Sequence, residues 1–244
     1  MKVALVLHGH FRNFDKLWDD WQTNLLNSIS PDVFAFAWGD SMGNHIPAHH
    51  TYDNRNHPGY DLTSSSVSQE FIDSVKDRLK PKKLIIENFC DYDLQFHNMI
   101  NNPKYIAGFD DNISKRPKGI LGMVMSRYKA IKAKNEYEKV NNFVYDLVIV
   151  TRWDVGYKRS ISIVNDIDPT IINAVGGPHI RPWDWWTIGP SYLIDKFGEQ
   201  WDGIDELVNM NKFVCEPHIW QKVWFEYKNI PWRGFENDAY ISRL

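Results

Sequence analysis

The stretch Tyr145-Asp-Leu-Val-Ile-Val-Thr-Arg-Trp-Asp154 decides how the rest of the chain is read. Leu147, Val148, Ile149 and Val150 are consecutive apolar residues, mostly β-branched, the pattern of a strand buried on both faces. Such strands sit in the middle of an α/β sheet with helices on each side, and ligands of open α/β sheets bind just beyond the carboxyl ends of the strands. This strand ends in Arg152, Trp153 and Asp154. A cation, an aromatic plate and an anion together suit a charged ligand or a metal–phosphate pair. The structural alternative is an Arg152–Asp154 salt bridge that caps the strand.

Upstream, Gly119 to Val140 reads as a long helix feeding directly into that strand, with Ile120, Met123, Val124, Tyr128, Ile131 and Tyr137 as its apolar positions. One face should line the pocket, so mid-helix Arg127, with Ser126 and Lys129, either meets phosphate or belongs to a solvated face. At the amino terminus, Lys2 to Leu7 reads as a buried strand that runs into His8-Gly9-His10-Phe11-Arg12. Gly9 allows a sharp turn and a close approach to a ligand. Arg12 can fork onto a diphosphate; the alternative is an ordinary turn and a surface arginine. Asp15 to Ser28 places Leu17, Trp18, Trp21, Leu25 and Leu26 on one helix face, and Asp32 to Trp38 forms a second strand. Strand, helix, strand implies a parallel pair with a right-handed crossover. A helix over Ser66 to Lys80 stops at Pro81, Lys83 to Glu87 is a third strand, and Asp91 to Asn102 a short helix. The polar segment 41–66, with His45, His49, His50 and His57, is expected as a mobile loop over the pocket mouth rather than a metal site. The polar segment 101–118 is a connection and a second flexible rim.

Downstream, Gly176 to Trp183 has the punctuation of a tight loop. Asp184 to Gly189 reads as a short strand with Trp185 and Trp186 on opposite faces. Ser191 opens a helix to Phe197 as its N-cap, and Glu216 to Phe225 is a further helix with Pro217 early and Glu216 near its start. Asp184, flanked by Trp183, Trp185 and Trp186 as stacking platforms, and Glu216 are candidate site carboxylates. The alternatives are a loop cap and core-filling tryptophans.

A length of 244 residues suits one domain or one domain with a small appendage. With 43 % hydrophobic and 24 % charged residues, a packed core is within reach. The net charge of −3 argues against a general nucleic-acid binder, which needs a basic footprint. Cys90 and Cys215 give neither a disulfide framework nor zinc spacing, which fits a reducing cytoplasm. No signal peptide is expected, and no run approaches the roughly 20 apolar residues of a membrane span. Eleven tryptophans in a chain that is 14 % aromatic call for a reason. Some fill the core; others are candidate platforms for sugar rings or nucleobases.

Taken in order, these segments resemble a GT-A-type glycosyltransferase, most closely small bacterial and phage proteins tied to surface polysaccharide or lipopolysaccharide. The residues that carry the resemblance are Gly9-His-Phe-Arg12 after the first strand, Pro31-Asp-Val-Phe through Trp38, Tyr145 to Asp154, Asp184 to Gly189, and Glu216-Pro217. It covers most of the chain, and its force is in the order of the motifs. It implies a GT-A-like α/β fold with a mixed, mainly parallel sheet flanked by helices. It also implies a single domain over 1–244, whose residues 1–154 hold the nucleotide and 155–244 face the acceptor. The activity implied is transfer of a sugar from a nucleotide-diphosphate donor to a glycan or other hydroxyl acceptor. Gly9, Arg12, Trp38, Arg127, Arg152 and Trp153 are then the donor-binding candidates, and, if the reaction inverts, Asp184 is the candidate general base for the acceptor hydroxyl, with Glu216 the second choice. The family's acidic metal motif Asp-x-Asp is here Arg152-Trp-Asp154. Asp154 alone could hold Mn²⁺ or Mg²⁺ with help from the diphosphate and waters, or Arg152 neutralises the phosphates and the metal is dispensable. Two other classes remain open. A nucleotidyltransferase acting on sugar phosphates expects more glycine than Gly9 to Arg12 offers. A non-catalytic carbohydrate-binding or degenerate transferase fits the tryptophans and the missing first Asp.

Overall fold

The computed structural model describes residues 1–11, 14–40, 67–109, 117–158, 160, 167–175, 182, 184–235 and 239–241. Arg12, Trp183, the segment 41–66 with its four histidines and most of the 176–183 loop lie outside the described residues.

Strands β1 (Val3–His8), β2 (Asp32–Trp38), β3 (Lys83–Glu87) and β4 (Leu147–Arg152) are mutually parallel, in the order β3-β2-β1-β4. The sheet continues through β7 (Trp186–Gly189), β6 (Ile172–Val175) and β8 (Trp232–Phe235). Strand β7 runs antiparallel to both neighbours, and β8 is parallel to β6. Strand β5 (Val155–Tyr157) pairs with β9 (Ala239–Ile241) in a separate small ribbon. The mixed, mainly parallel sheet expected from the sequence is therefore the sheet observed.

Successive side chains of a strand face opposite sides, and that alternation sorts the core into two layers. Val3, Leu5, Leu7, Leu147 and Ile149 meet Leu17 and Trp21 of α1 and Leu25 just beyond it. This helix (Phe14–Trp21) continues through a π-helical stretch (Gln22–Leu26) into a last turn (Asn27–Ile29). Helix α2 (Gln69–Leu79), capped by the Ser68 side chain, adds Val75 and Leu79 to the same layer. Ala4, Val6, Val148 and Val150 face the other way, onto Val124, Met125, Ala130 and Ile131 of α4 (Pro117–Asn141). Helices α3 (Asp93–Ile100), α5 (Ser191–Gly198), α6 (Ile204–Asn209) and α7 (Pro217–Tyr227) complete that second layer. Six of the eleven tryptophans, at 21, 38, 153, 186, 220 and 224, are fully buried in these layers. Core filling therefore accounts for most of the tryptophan content. Among the described residues, no helix is long and apolar enough to cross a membrane.

Helix α4 is buried around much of its girth, Ser126 and Arg127 included, so those two do not belong to a solvated face. Its carboxyl half is fastened by a buried polar network. Lys134 donates to Glu138 Oε2 (2.8 Å), Asp195 Oδ1 (2.7 Å) and Ser191 Oγ. Glu138 Oε1 accepts from Ser191 Oγ and from the Tyr145 amide, each at 2.8 Å. Ser191 is thus committed to this network, and Pro190, not Ser191, stands at the N-cap of α5.

Candidate ligand site at the carboxyl edge of the sheet

Strands β1 and β4 end side by side, with His8 opposite Arg152. Both side chains continue the alternation of Ala4, Val6, Val148 and Val150, so they lie on the α4 side of the sheet, where Ser126 and Arg127 are buried. Because β7 is antiparallel, its entry, not its exit, lies at this same edge: Thr151 is in register with Trp186, and Thr151 Oγ1 donates to the Trp185 carbonyl (3.1 Å). That brings Asp184 to Arg152. The guanidinium donates from Nε and Nη2 to the two oxygens of Asp154 (2.9 and 2.6 Å) and from Nη1 to Asp184 Oδ2 (3.1 Å). On the far side of Asp184, His218 Nδ1 lies 3.6 Å from Oδ1. Two strand ends and a helix start therefore converge on one row of side chains, Asp154–Arg152–Asp184–His218.

Burial alone would lower the pKa of Arg152, but Asp154 and Asp184 raise it overall, so the cation is fixed. Arg127 lacks that compensation. Desolvation pulls its pKa down to about 10, with Asp184 acting in the opposite sense. It donates to Gln200 Oε1 and lies 4.1 Å from the centroid of the Phe197 ring. Among the described residues, no carboxylate comes within ion-pair distance of it. His8 is held well below its ordinary pKa, first by burial and then by Arg127 and Arg152, with Asp154 opposing. Its Nδ1 faces Ser126 Oγ at 3.4 Å.

Of the donor-binding candidates, Gly9, Arg127 and Arg152 lie at this edge. Gly9 has φ +100°, a conformation that L side chains rarely adopt, and among the described residues a Cβ there would meet nothing within 4 Å. Trp38 and Trp153 are corrections. Trp38 is 1 % exposed and sits edge-on to Phe36, Phe89 and Tyr92 at 4.7–5.5 Å. Trp153 is 0 % exposed, packs on Phe11 and Trp21, and donates to the Phe36 carbonyl (2.9 Å). Neither offers a face to a ligand; the strand alternation that aims Arg152 at the site aims Trp153 into the opposite layer. Trp186 is likewise core, while Trp185 is half-buried.

The two candidate bases are also committed elsewhere. Asp184 is buried against Arg152 and His218, and Glu216 is the N-cap of α7, its Oε2 accepting from the Ile219 amide (2.6 Å). Both oxygens of Asp154 accept from Arg152, and among the described residues no group of three His, Cys, Asp or Glu side chains is placed to hold a metal ion. As placed, this donor set does not fit a resident Mn²⁺ or Mg²⁺; the salt-bridge alternative for Arg152 and Asp154 is the arrangement observed.

Three side chains were passed over in the sequence. His8 carried a signal, a polar residue ending an apolar strand. His218 carried none, since its approach to Asp184 depends on how α7 docks. Asp40, two residues beyond β2, is buried; its Oδ2 accepts from the Cys90 amide (2.8 Å), and its Oδ1 has no hydrogen-bond partner among the described residues.

No family model matches the chain, and no curated protein matches it. Among solved structures it is similar to the apo form of mouse xyloside xylosyltransferase 1. That similarity has a TM-score of 0.40 and 8 % identity, and covers 96 % of this chain and 84 % of that one.

Proposed function

We propose that this chain is a glycosyltransferase that moves a sugar from a nucleoside-diphosphate donor to a glycan or other hydroxyl acceptor. The observation that carries the reading is the meeting of Arg152, Asp154 and Asp184 at the carboxyl edge of β4, beside the Gly9 turn and the buried Arg127. A diphosphate leaving group develops negative charge as its bond to the sugar breaks, and preorganised cations stabilise it. Arg152 presents a planar fork, occupied here by the two oxygens of Asp154. A phosphate offers the same pair of oxygens to the same fork, so the donor exchanges with Asp154 for Arg152, and Arg127 supplies a second cation. The order of the sequence motifs supports the same reading and is the sole support for a bacterial or phage surface-polysaccharide setting.

Thermal melting with UDP, GDP, dTDP and their hexose conjugates, in EDTA and again with Mn²⁺, tests this. A ligand present at 100 times its Kd stabilises by about 2.7 kcal/mol, a rise in Tm of roughly 5–10 °C for a chain of this size. Such a rise in EDTA is expected for at least one compound. Arg152→Lys, which keeps the charge and loses the fork, should reduce that affinity at least about tenfold. No shift with any compound, or an undiminished shift in Arg152→Lys, sinks the reading. Release of pyrophosphate instead of nucleoside diphosphate would favour a nucleotidyltransferase; glycan binding without nucleotide binding would favour a binding module.

A further inference from the structure

We infer that His218 takes the proton from the acceptor hydroxyl and that Asp184 is the residue that positions it; this rests on the transferase reading above. The sequence points to Asp184 and then Glu216 as the base, but both carboxylates have partners within the fold. Asp184 has a side chain 5 % exposed, with Oδ2 on Arg152 and Oδ1 facing His218. Glu216 Oε2 is held by the amide of Ile219. His218, in the first turn of α7, has a side chain 28 % exposed. Its Nδ1 is buried and directed at Asp184, which leaves Nε2 on the opposite edge of the ring. A carboxylate behind Nδ1 fixes the tautomer that offers Nε2 as acceptor and steadies the imidazolium that forms. The two atoms are 3.6 Å apart, beyond hydrogen-bond distance as placed, and the assignment requires them to close to a hydrogen bond in the working complex.

In the step this assigns, the acceptor oxygen bonds to the anomeric carbon as the bond from that carbon to the phosphate oxygen breaks. The electron pair of the broken bond leaves with the nucleoside diphosphate, and the hydroxyl proton moves to His218 Nε2. The charged groups around the imidazole are Asp184 from the entry to β7, Arg152 of β4 and Arg127 of α4 behind it, and Glu216 on its own helix.

The test uses the full chain with UDP-glucose, UDP-N-acetylglucosamine, GDP-mannose and dTDP-glucose, reading donor binding by calorimetry and donor turnover, with water as acceptor, against pH. His218→Gln should bind the donor within about twofold of the natural protein while kcat falls on the order of 100-fold or more. The acid limb of the natural protein's pH profile should disappear in the variant. In His218→Ala, added imidazole should restore part of the rate, which a packing role for the ring does not allow. Donor binding with unchanged kcat and an unchanged acid limb in His218→Gln overturns the assignment and leaves the transferase reading standing. A natural protein that neither binds nor turns over any of the four donors overturns both.

Discussion

Arg127 is a guanidinium 2 % exposed, and among the described residues its partners are one amide oxygen and one aromatic face. Burying a cation without a carboxylate against it costs several kcal/mol before its hydrogen bonds are counted. An apolar side chain of similar length in the same place has no such cost. Arg127→Met is therefore expected to unfold at a higher temperature, with a gain of about 1–3 kcal/mol. The same change removes a charge-assisted contact, so nucleoside-diphosphate affinity should fall at least about tenfold, corresponding to the roughly 1.5–3 kcal/mol of a hydrogen bond to a charged group. Melting curves and calorimetry on the one variant check both. A variant that is less stable and binds normally would make Arg127 a structural residue. Trp153 shows the reverse relation: a residue adjacent to the site in sequence, whose 0 % exposure and contacts with Phe11 and Trp21 make it core.

Helix α4 depends on a buried polar network. Lys134 is fully buried and joins Glu138 of its own helix to Ser191 and Asp195 of α5, while Glu138 holds the amide of Tyr145 just ahead of β4. Removing one partner of a buried ion pair leaves the others desolvated and uncompensated, so Lys134→Ala should lose about 3–5 kcal/mol. Chemical denaturation measures it, and a loss under 1 kcal/mol would mean that solvent reaches the network. Nothing in the sequence pointed to this contact, because Lys134 and Asp195 are brought together only when α5 docks. Strands β1 to β4 and helices α1, α2, α4 and α7 were legible, since each has apolar positions at its own period and a Pro, Gly or polar stop. Strands β8 and β9 went unread because three or four residues near an edge carry too little alternation to mark a strand. The site was legible in part for the same reason. Arg152 and Gly9 end local patterns, whereas Asp184 reaches Arg152 only because β7 enters the sheet antiparallel, a choice made by long-range pairing.

At the scale of the whole molecule, 28 basic against 31 acidic side chains give a net charge of −3, so net charge does not attract an anionic donor. Whatever holds a diphosphate must act at short range, and the cations at the edge of the sheet are sheltered: Arg127 is buried and the Arg152 side chain is 17 % exposed. Salt screens exposed charges over a Debye length of about 10 Å at 0.1 M and about 3 Å at 1 M, but buried pairs much less. Two consequences separate this arrangement from a basic surface patch. Between 50 and 500 mM NaCl, donor affinity should change by less than about threefold, because few exposed charges take part. A polyanion such as duplex DNA, whose binding depends on releasing counterions from many phosphates, should show no saturable binding at 150 mM salt. Calorimetric titration of the donor across that salt range, with duplex DNA as the comparison, measures both. A tenfold loss of donor affinity would place the diphosphate on exposed lysines and arginines instead of on Arg152 and Arg127, and the strand-end cluster would then be a structural cap.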